Sequence, residues 1–380
     1  MLGLAGIPLP VILFSLFHGS ALKPFYFRTK HTDIIKENVR KQHKNHSSTN
    51  QLDIITANNE HTQRNSKKKN LYFCGWNPNG WVSLVFPDYD NKQFWNETFQ
   101  PASQPPPTSN DLLIHSIHGP KCREDANRWF PGKILYYTVE PVVNDHTDNN
   151  EKAYQLVISK KQMKPHHLQL YPISRVLFYE EYDDEVRQWI LDPKKKPIST
   201  RKEFLIYTAL NCEPFRDAAF LQLSKIKPVH QGSRCPCLKE SNANVIKVES
   251  LGPRKSFRYN YIEYRNYRFC LVMENTKMSG YVSEKMLLAF LGGCIPIYWG
   301  TLDVFKIFNA KSFIYYNINK PELAFERVRY LEGNETAYNE VMAEPILANG
   351  NVTIKKYFSM SDNIGGGKLK QKIRDLLELG

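Results

Sequence analysis

The 380-residue sequence predicts an α/β protein of two domains, each built on a parallel sheet. Three observations lead there. The length suits two domains at roughly 100–200 residues each. Short apolar runs bounded by turn signals recur along the chain and read as buried parallel strands. Between residues 267 and 300, strand, loop, helix and strand follow one another, which is the order of a βαβ unit. Hydrophobic residues make up 42% and charged residues 23%, values that exclude wholesale disorder, a collagen-like chain and a multi-span membrane protein.

Residues 2–22 carry no charge, but Pro8 and Pro10 interrupt them, and the continuous apolar core, 11–17, is short. A membrane span wants about 20 residues. The first positive charges, Lys23, Arg28 and Lys30, follow the segment, which by the positive-inside rule disfavours a lumenal C-terminus. The segment fits a signal peptide or a signal anchor of open topology, an apolar N-terminal strand or arm being the alternative. Residues 23–69 read as a flexible polar stem. The formal net charge is +13, of which residues 28–70 contribute +6 and residues 71–380 another +6. Half the excess thus sits in a stretch that reads as a solvated linker, so no nucleic-acid partner is expected.

The first domain is expected over residues 70–196. It opens at 71–76, is broken by the Pro-rich stretch 100–107, and continues with strands at 111–115, 133–138 and 175–179. Lys194-Lys195-Lys196-Pro197 reads as a linker. The second domain, 197–350, opens with a strand at 203–208 and a helix at 215–226. A strand at 268–273, a polar loop at 274–280 and a helix at 283–291 follow, with Gly292-Gly293 as the stop signal. Further strands are expected at 295–299 and 312–316. Residues 351–380 form a tail ending in a short amphipathic helix, 368–379, apolar at Ile373, Leu376 and Leu377.

Of seven cysteines only Cys235 and Cys237 are close together, and no second Cys/His pair stands at zinc spacing, so no metal site is expected. One or two disulfides fit a secretory compartment. Sequons at Asn45, Asn96, Asn334 and Asn351 are about as many as chance provides. His115 and His118 flank Ser116-Ile117 without a nucleophile turn or an acid partner, so a loop lining a cleft or a structural role is expected there. Asp183-Asp184 reads as a helix N-terminal charge cluster.

Ligands of open parallel sheets bind beyond the carboxyl ends of strands. Residues 274–285 lie at such an end and offer Asn275, Tyr281, Ser283, Glu284 and Lys285 where backbone N–H groups and the helix dipole favour an anion. A lysine in a helix's first turn opposes that dipole. Local stability therefore does not explain Lys285, whereas a phosphate ligand does. There is no GxxxxGK[ST] and no GxGxxG, so a P-loop or a dinucleotide site is disfavoured.

The run Arg268-Phe-Cys-Leu-Val-Met-Glu-Asn-Thr-Lys-Met-Ser-Gly-Tyr-Val-Ser-Glu-Lys285, continued by Gly293-Cys-Ile-Pro-Ile-Tyr-Trp-Gly300, resembles the donor-site signature of the α-1,3-fucosyltransferases, glycosyltransferase family ten. That pattern is a strand, F/M-E-N, a short loop, Y-[VI]-[TS]-E-K, a helix, and a strand ending in P-[IV]-x-x-G. Upstream, Tyr207-Thr208-Ala-Leu-Asn211-Cys-Glu-Pro-Phe-Arg216 resembles the family's S-N-x(n)-R turn, and Tyr136-Tyr137-Thr138-Val139-Glu140 its Y-T-G-E segment. Val139 stands where the family often has Gly, Pro141 follows the glutamate, and residues 208–211 depart from a plain Ser-Asn pair.

The resemblance covers roughly residues 110–350 and implies a GT-B-like fold, two Rossmann-like domains facing each other across a cleft. It implies an inverting transfer of L-fucose from GDP-fucose to a hydroxyl of an oligosaccharide or glycoprotein acceptor, O3 of GlcNAc, with an α-1,3 linkage. Arg216 and Lys285 would neutralise the pyrophosphate with Asn275 and Tyr281 beside it, and Glu284 would accept hydrogen bonds from a donor hydroxyl. Glu140 would be the catalytic base. No cofactor is required and a divalent cation is at most stimulatory. The expected location is the secretory pathway, in the Golgi membrane with a lumenal catalytic part. The alternatives are a GT-B transferase using another nucleotide sugar and a non-catalytic basic protein that binds glycans or polyanions.

Overall fold

Among the described residues two six-stranded sheets organise the fold, and every strand pairing in both is parallel. The computed structural model describes residues 69–74, 81–94, 107–116, 130–138, 156–159, 167–177, 188, 190, 201, 203–209, 213–232, 244–248 and 257–379. The apolar segment 1–22, the stem up to residue 68, the linker at 194–197, Asp183-Asp184 and the Cys235/Cys237 pair lie outside them.

The first sheet has the order β2-β1-β3-β4-β5-β6. Its strands are β1 (Lys69–Cys74), β2 (Tyr89–Phe94), β3 (Leu112–Ser116), β4 (Lys133–Thr138), β5 (Leu156–Ser159) and β6 (His167–Gln169). Helix α1 (Trp81–Val85) joins β1 to β2, and α2 (Ile173–Val176) follows β6. The run at 175–179, expected to be a strand, is instead helical over its first two residues, with Leu177 in a turn. A short apolar run does not distinguish a buried strand from a buried helical turn. Pro172 just before α2 suits a helix start. His115 sits within β3, buried, its ring 5.3 Å from that of Tyr136, and not in a cleft loop.

The second sheet has the order β12-β11-β10-β7-β8-β9. Its strands are β7 (Glu203–Tyr207), β8 (Val229–Gln231), β9 (Val245–Lys247), β10 (Tyr267–Met273), β11 (Ile295–Trp299) and β12 (Ile314–Tyr315). The helices here are α3 (Pro214–Leu223), α4 (Asn260–Tyr264), α5 (Glu284–Gly292), α6 (Val304–Ile307), α7 (Glu322–Gly333) and α8 (Glu335–Ala343). Helix α5 stops where its glycines require. Gly293 takes φ 72°, and the N–H of Cys294 reaches back to the Ala289 carbonyl at 3.2 Å.

Strand alternation divides the side chains between two layers, as a two-residue period demands. In β10, Cys270 and Val272 enter one core while Phe269, Leu271 and Met273 enter another. The first of these cores also takes Leu112, Ile114 and Leu135 of the first sheet and Met286–Leu291 of α5. Helix α9 (Lys368–Leu376) joins the same core through Leu369 and Ile373. Its Arg374 donates to both carboxylate oxygens of Asp88, at 2.6 and 3.2 Å, and to the Val85 carbonyl at 3.2 Å. Lys133 of β4 donates to the Leu377 carbonyl at 2.5 Å. The C-terminal helix is thus bound to the first sheet's elements. Among the described residues no helix is long and apolar enough to cross a membrane.

A disulfide joins Cys270 of β10 to Cys294, the residue before β11, and the closed loop contains the whole segment 274–285 and α5. Both cysteines are fully buried. Closing a loop of this size removes chain entropy from the unfolded state, about 3 kcal/mol on the loop-closure estimate. The Cys270→Ala/Cys294→Ala variant is therefore expected to melt at a lower temperature than wild type. Wild type should fall toward it on reduction, while the variant's midpoint should not respond to reductant.

Candidate active site

Strands β7 and β10 are neighbours, yet the chain leaves them in opposite directions. After β7 it runs through α3 to β8 and β9 on one side, and after β10 through α5 to β11 and β12 on the other. Such a reversal leaves a crevice beyond the carboxyl ends of the two strands, where ligands of open α/β sheets bind. The first turns of α3 and α5 both open there. The former holds Arg216 and the latter Glu284 and Lys285. A cation in a first turn opposes the helix dipole, so each helix accepts a local cost at this crevice.

Arg216 is buried at 2% exposure. Its Nε donates to the Glu274 backbone carbonyl at 3.3 Å, and its Nη2 donates to the Asn275 side-chain oxygen. The neighbouring Phe215 ring packs on Trp299, the last residue of β11, with centroids 4.4 Å apart.

Glu274, the residue after β10, is fully buried, and an isolated carboxylate there would be costly. It has several donors. Oε1 accepts from the Ser283 N–H at 2.8 Å and, more weakly, from the Tyr298 hydroxyl at 3.5 Å. Oε2 accepts from the Ser283 hydroxyl at 2.6 Å and from the Lys285 ammonium at 3.2 Å. In a capping box the third helical residue returns a carboxylate to the N-cap N–H. Here that position is Met286, and Glu274 reaches Ser283 from the sheet instead.

Lys285 also bonds the Ser283 hydroxyl at 3.0 Å and Glu284 at 3.4 Å. Burial alone would lower its pKa, but the Glu274 and Glu284 carboxylates outweigh burial and hold it well above the usual lysine range. Burial, helped by Glu274, likewise pushes the Tyr298 phenol far up. Space for this cluster depends on Gly300. A Cβ there would stand 2.3 Å from the Tyr298 hydroxyl and 2.9 Å from Glu274 Cγ.

The loop between Asn275 and Ser283 is fixed at its turn. Gly280, at φ 79°, donates its N–H to Asp303 at 2.6 Å, and the Ser279 hydroxyl donates to the same oxygen at 3.0 Å. Lys306 donates to the other oxygen at 2.5 Å. Burial would raise the Asp303 pKa, but these bonds outweigh it and hold the carboxyl below its usual range. Two residues on, the Val282 carbonyl accepts from the Ile173 N–H of α2 at 3.0 Å. Behind the β7 end, Thr208 bonds the Tyr264 hydroxyl and accepts from the Asn260 amide at 3.1 Å. Burial pushes the Tyr264 phenol up to about 12.

The structure thus brings Arg216, Asn275, Glu284 and Lys285 to one crevice, with Tyr281 buried in the same loop. Glu140 lies outside the described residues, two positions past β4. Sequence reasoning assigned no role to Glu274 or Asp303. A carboxylate directly after an apolar strand, followed by Ser and Lys at a helix start, is the signal that could have raised the first. Asp303 had no comparable cue. Among the described residues no group of three or more His, Cys, Asp or Glu side chains is placed to hold a metal ion.

Residues 199–343 match the family model for the C-terminal region of glycosyltransferase family 10 (fucosyltransferase). An α-(1,3)-fucosyltransferase of Helicobacter pylori is 30% identical over 146 residues, 38% of this chain and 28% of that protein. An α-(1,4)-fucosyltransferase of Arabidopsis thaliana is 26% identical over 134 residues, 31% of this chain and 30% of that protein. The chain thus spans under a third of the length of the curated relatives it matches. A crystal structure of an α1,3-fucosyltransferase with GDP-fucose superposes with a TM-score of 0.53 at 19% identity, covering 82% of this chain and 90% of that one. That likeness extends over both sheets and identifies the fold as GT-B. Over residues 199–343 the chain therefore matches the C-terminal region of glycosyltransferase family 10 (fucosyltransferase), and the match is set in a GT-B fold.

Proposed function

We infer that the protein is an inverting fucosyltransferase that moves L-fucose from GDP-fucose to a glycan hydroxyl, O3 of N-acetylglucosamine, forming an α-1,3 linkage. The observation that carries this reading is the convergence of Arg216 and Lys285 on one residue, Glu274, at the point where the second sheet reverses direction. A structure of similar fold holding GDP-fucose supports the choice of donor. The 30% identical α-(1,3) relative supports the linkage, against a 26% identical α-(1,4) one.

In the transfer, the bond from fucose C1 to the β-phosphate oxygen breaks and its electron pair leaves with GDP. The acceptor oxygen bonds C1 from the opposite face, and its proton passes to a carboxylate, for which Glu140 is the candidate. Inversion turns a β-linked donor into an α-linked product. GDP leaves as an anion, so it needs fixed positive charge and not the proton donor that a glycosidase supplies. Arg216 is suited to bidentate phosphate contact, and Asn275 orients it. Lys285 supplies the second charge, Tyr281 lies beside the diphosphate, and Glu284 accepts a donor hydroxyl. Two side-chain cations take the part of a metal, so a divalent ion is at most stimulatory. The proposed setting is the Golgi lumen, with residues 1–22 anchoring the chain and 23–69 as stem. The buried Cys270–Cys294 disulfide supports an oxidising compartment.

Lys285→Ala and Arg216→Ala should each lower kcat/KM for GDP-fucose by about 10²–10³-fold, the scale of losing one preorganised charge contact. Transfer at the wild-type rate by either would remove the site assignment. Glu140→Ala should lower kcat by about 10²–10⁴-fold while leaving GDP affinity unchanged, as loss of a general base does. A glycan-array transfer assay with linkage analysis of the product by NMR tests acceptor and linkage together. A product bearing fucose at a position other than O3 would replace the α-1,3 reading.

A further inference from the structure

Glu274 stands just past β10 and touches both proposed phosphate cations. We propose that Glu274 is the positioning residue of the donor site. Its buried carboxylate holds the Lys285 ammonium and the first turn of α5 where a diphosphate can meet them, and its backbone carbonyl holds Arg216. This inference rests on reading the crevice as a nucleotide-sugar site.

Capping alone does not account for the arrangement. Ser283 occupies the N-cap and could cap α5 with its own hydroxyl, as Ser commonly does. It makes no such bond, and its hydroxyl lies instead between Glu274, at 2.6 Å, and Lys285, at 3.0 Å. The carboxylate, hydroxyl and ammonium form one closed set of bonds, all on the buried side of the first turn. A lysine has four rotatable side-chain bonds, and fixing it beforehand removes an ordering cost from ligand binding. Arg216 is treated likewise, through the carbonyl of the same residue and the side chain of the next. A shift of Glu274 would therefore move both cations at once.

The charged and titratable groups facing Lys285 are Glu274, Glu284, Tyr281 and Tyr264. Burial works against its proton, and Glu274 is the larger of the two carboxylate influences that oppose burial. Without that carboxylate the lysine's pKa should fall. Its positive charge would then be lost progressively as pH rises, whereas in wild type it persists throughout the neutral and mildly alkaline range.

The test is GDP affinity by isothermal titration calorimetry on the full chain, at about pH 7 and about pH 9, below the ordinary lysine pKa. Wild type sets the reference at each pH, because the terminal phosphate and the guanine N1–H of GDP titrate in this interval themselves. Glu274→Gln should bind about tenfold more weakly than wild type at the lower pH, the size of one misplaced charge-assisted bond, and by a larger factor at the higher. Glu274→Asp keeps the charge but withdraws it by one methylene. It should lose affinity with no added pH dependence, and it carries the test if the Gln variant does not fold. In a Lys285→Ala background the Gln substitution should cost much less, because a positioning residue acts through the group it positions. Wild-type affinity in Glu274→Gln at both pH values overturns the proposal. So does an undiminished loss in the Lys285→Ala background, which would mark a purely structural role. Failure of wild type itself to bind GDP would instead overturn the donor reading.

Discussion

The second half of the molecule is organised around one buried negative charge. A carboxylate out of water is tolerated only where donors surround it, and the donors around Glu274 come from four places: the N–H and hydroxyl of Ser283, Lys285 and Tyr298. Satisfying it therefore fixes the start of α5, the end of β11 and the loop between Asn275 and Ser283 relative to β10. Gly300 follows from the same requirement, since any side chain there would occupy the space of Glu274 and Tyr298. Even Arg216, on another helix, is placed by this residue's carbonyl.

The surrounding fold keeps that arrangement from relaxing. Asp303 fixes the loop at Gly280 from one side and α2 fixes it at Val282 from another. The Cys270–Cys294 bond closes the segment covalently between β10 and the start of β11. Arg201 donates to the carbonyls of Gly292 and Gly293, so the far end of α5 is held as firmly as its start. The helix that presents Lys285 is thus constrained at both ends, which suits a group whose use depends on position more than on reach.

Much of this was legible in the sequence, for reasons that differ by element. Strands β4 and β11 were read with their observed bounds because each is an apolar run long enough to show itself between clear turn signals. The stop of α5 was legible because Gly293 must supply a left-handed φ. Strands β8 and β9, of three residues each, offer no period to detect. Residues 175–177 were misread because a short apolar run reads the same in a buried helical turn as in a buried strand. The crevice could be placed at carboxyl ends of strands from motif order alone. That β7 and β10 are neighbours could not, since strand order is a long-range pairing. The role of Glu274 was hidden for the same reason, since its partners Tyr298 and Arg216 meet it only in the folded sheet.

The same geometry weighs on which anion the site suits. A surface that binds polyanions presents exposed, unpaired Lys and Arg along a face, and its affinity comes from releasing counterions. Neither cation here is of that kind. Arg216 is buried, and the side chain of Lys285 is 24% exposed and already faces two carboxylates. With Glu274 and Glu284 counted, the four charges nearly cancel, so the crevice projects little long-range field. What it offers is local: two fixed donors within one short span, and beside them a carboxylate, Glu284, able to accept hydroxyl hydrogens. A long polyanion gains nothing from the carboxylate and is repelled by it. A diphosphate joined to a sugar uses both, and that combination favours a nucleotide sugar over the polyanion that the overall charge of +13 first suggests.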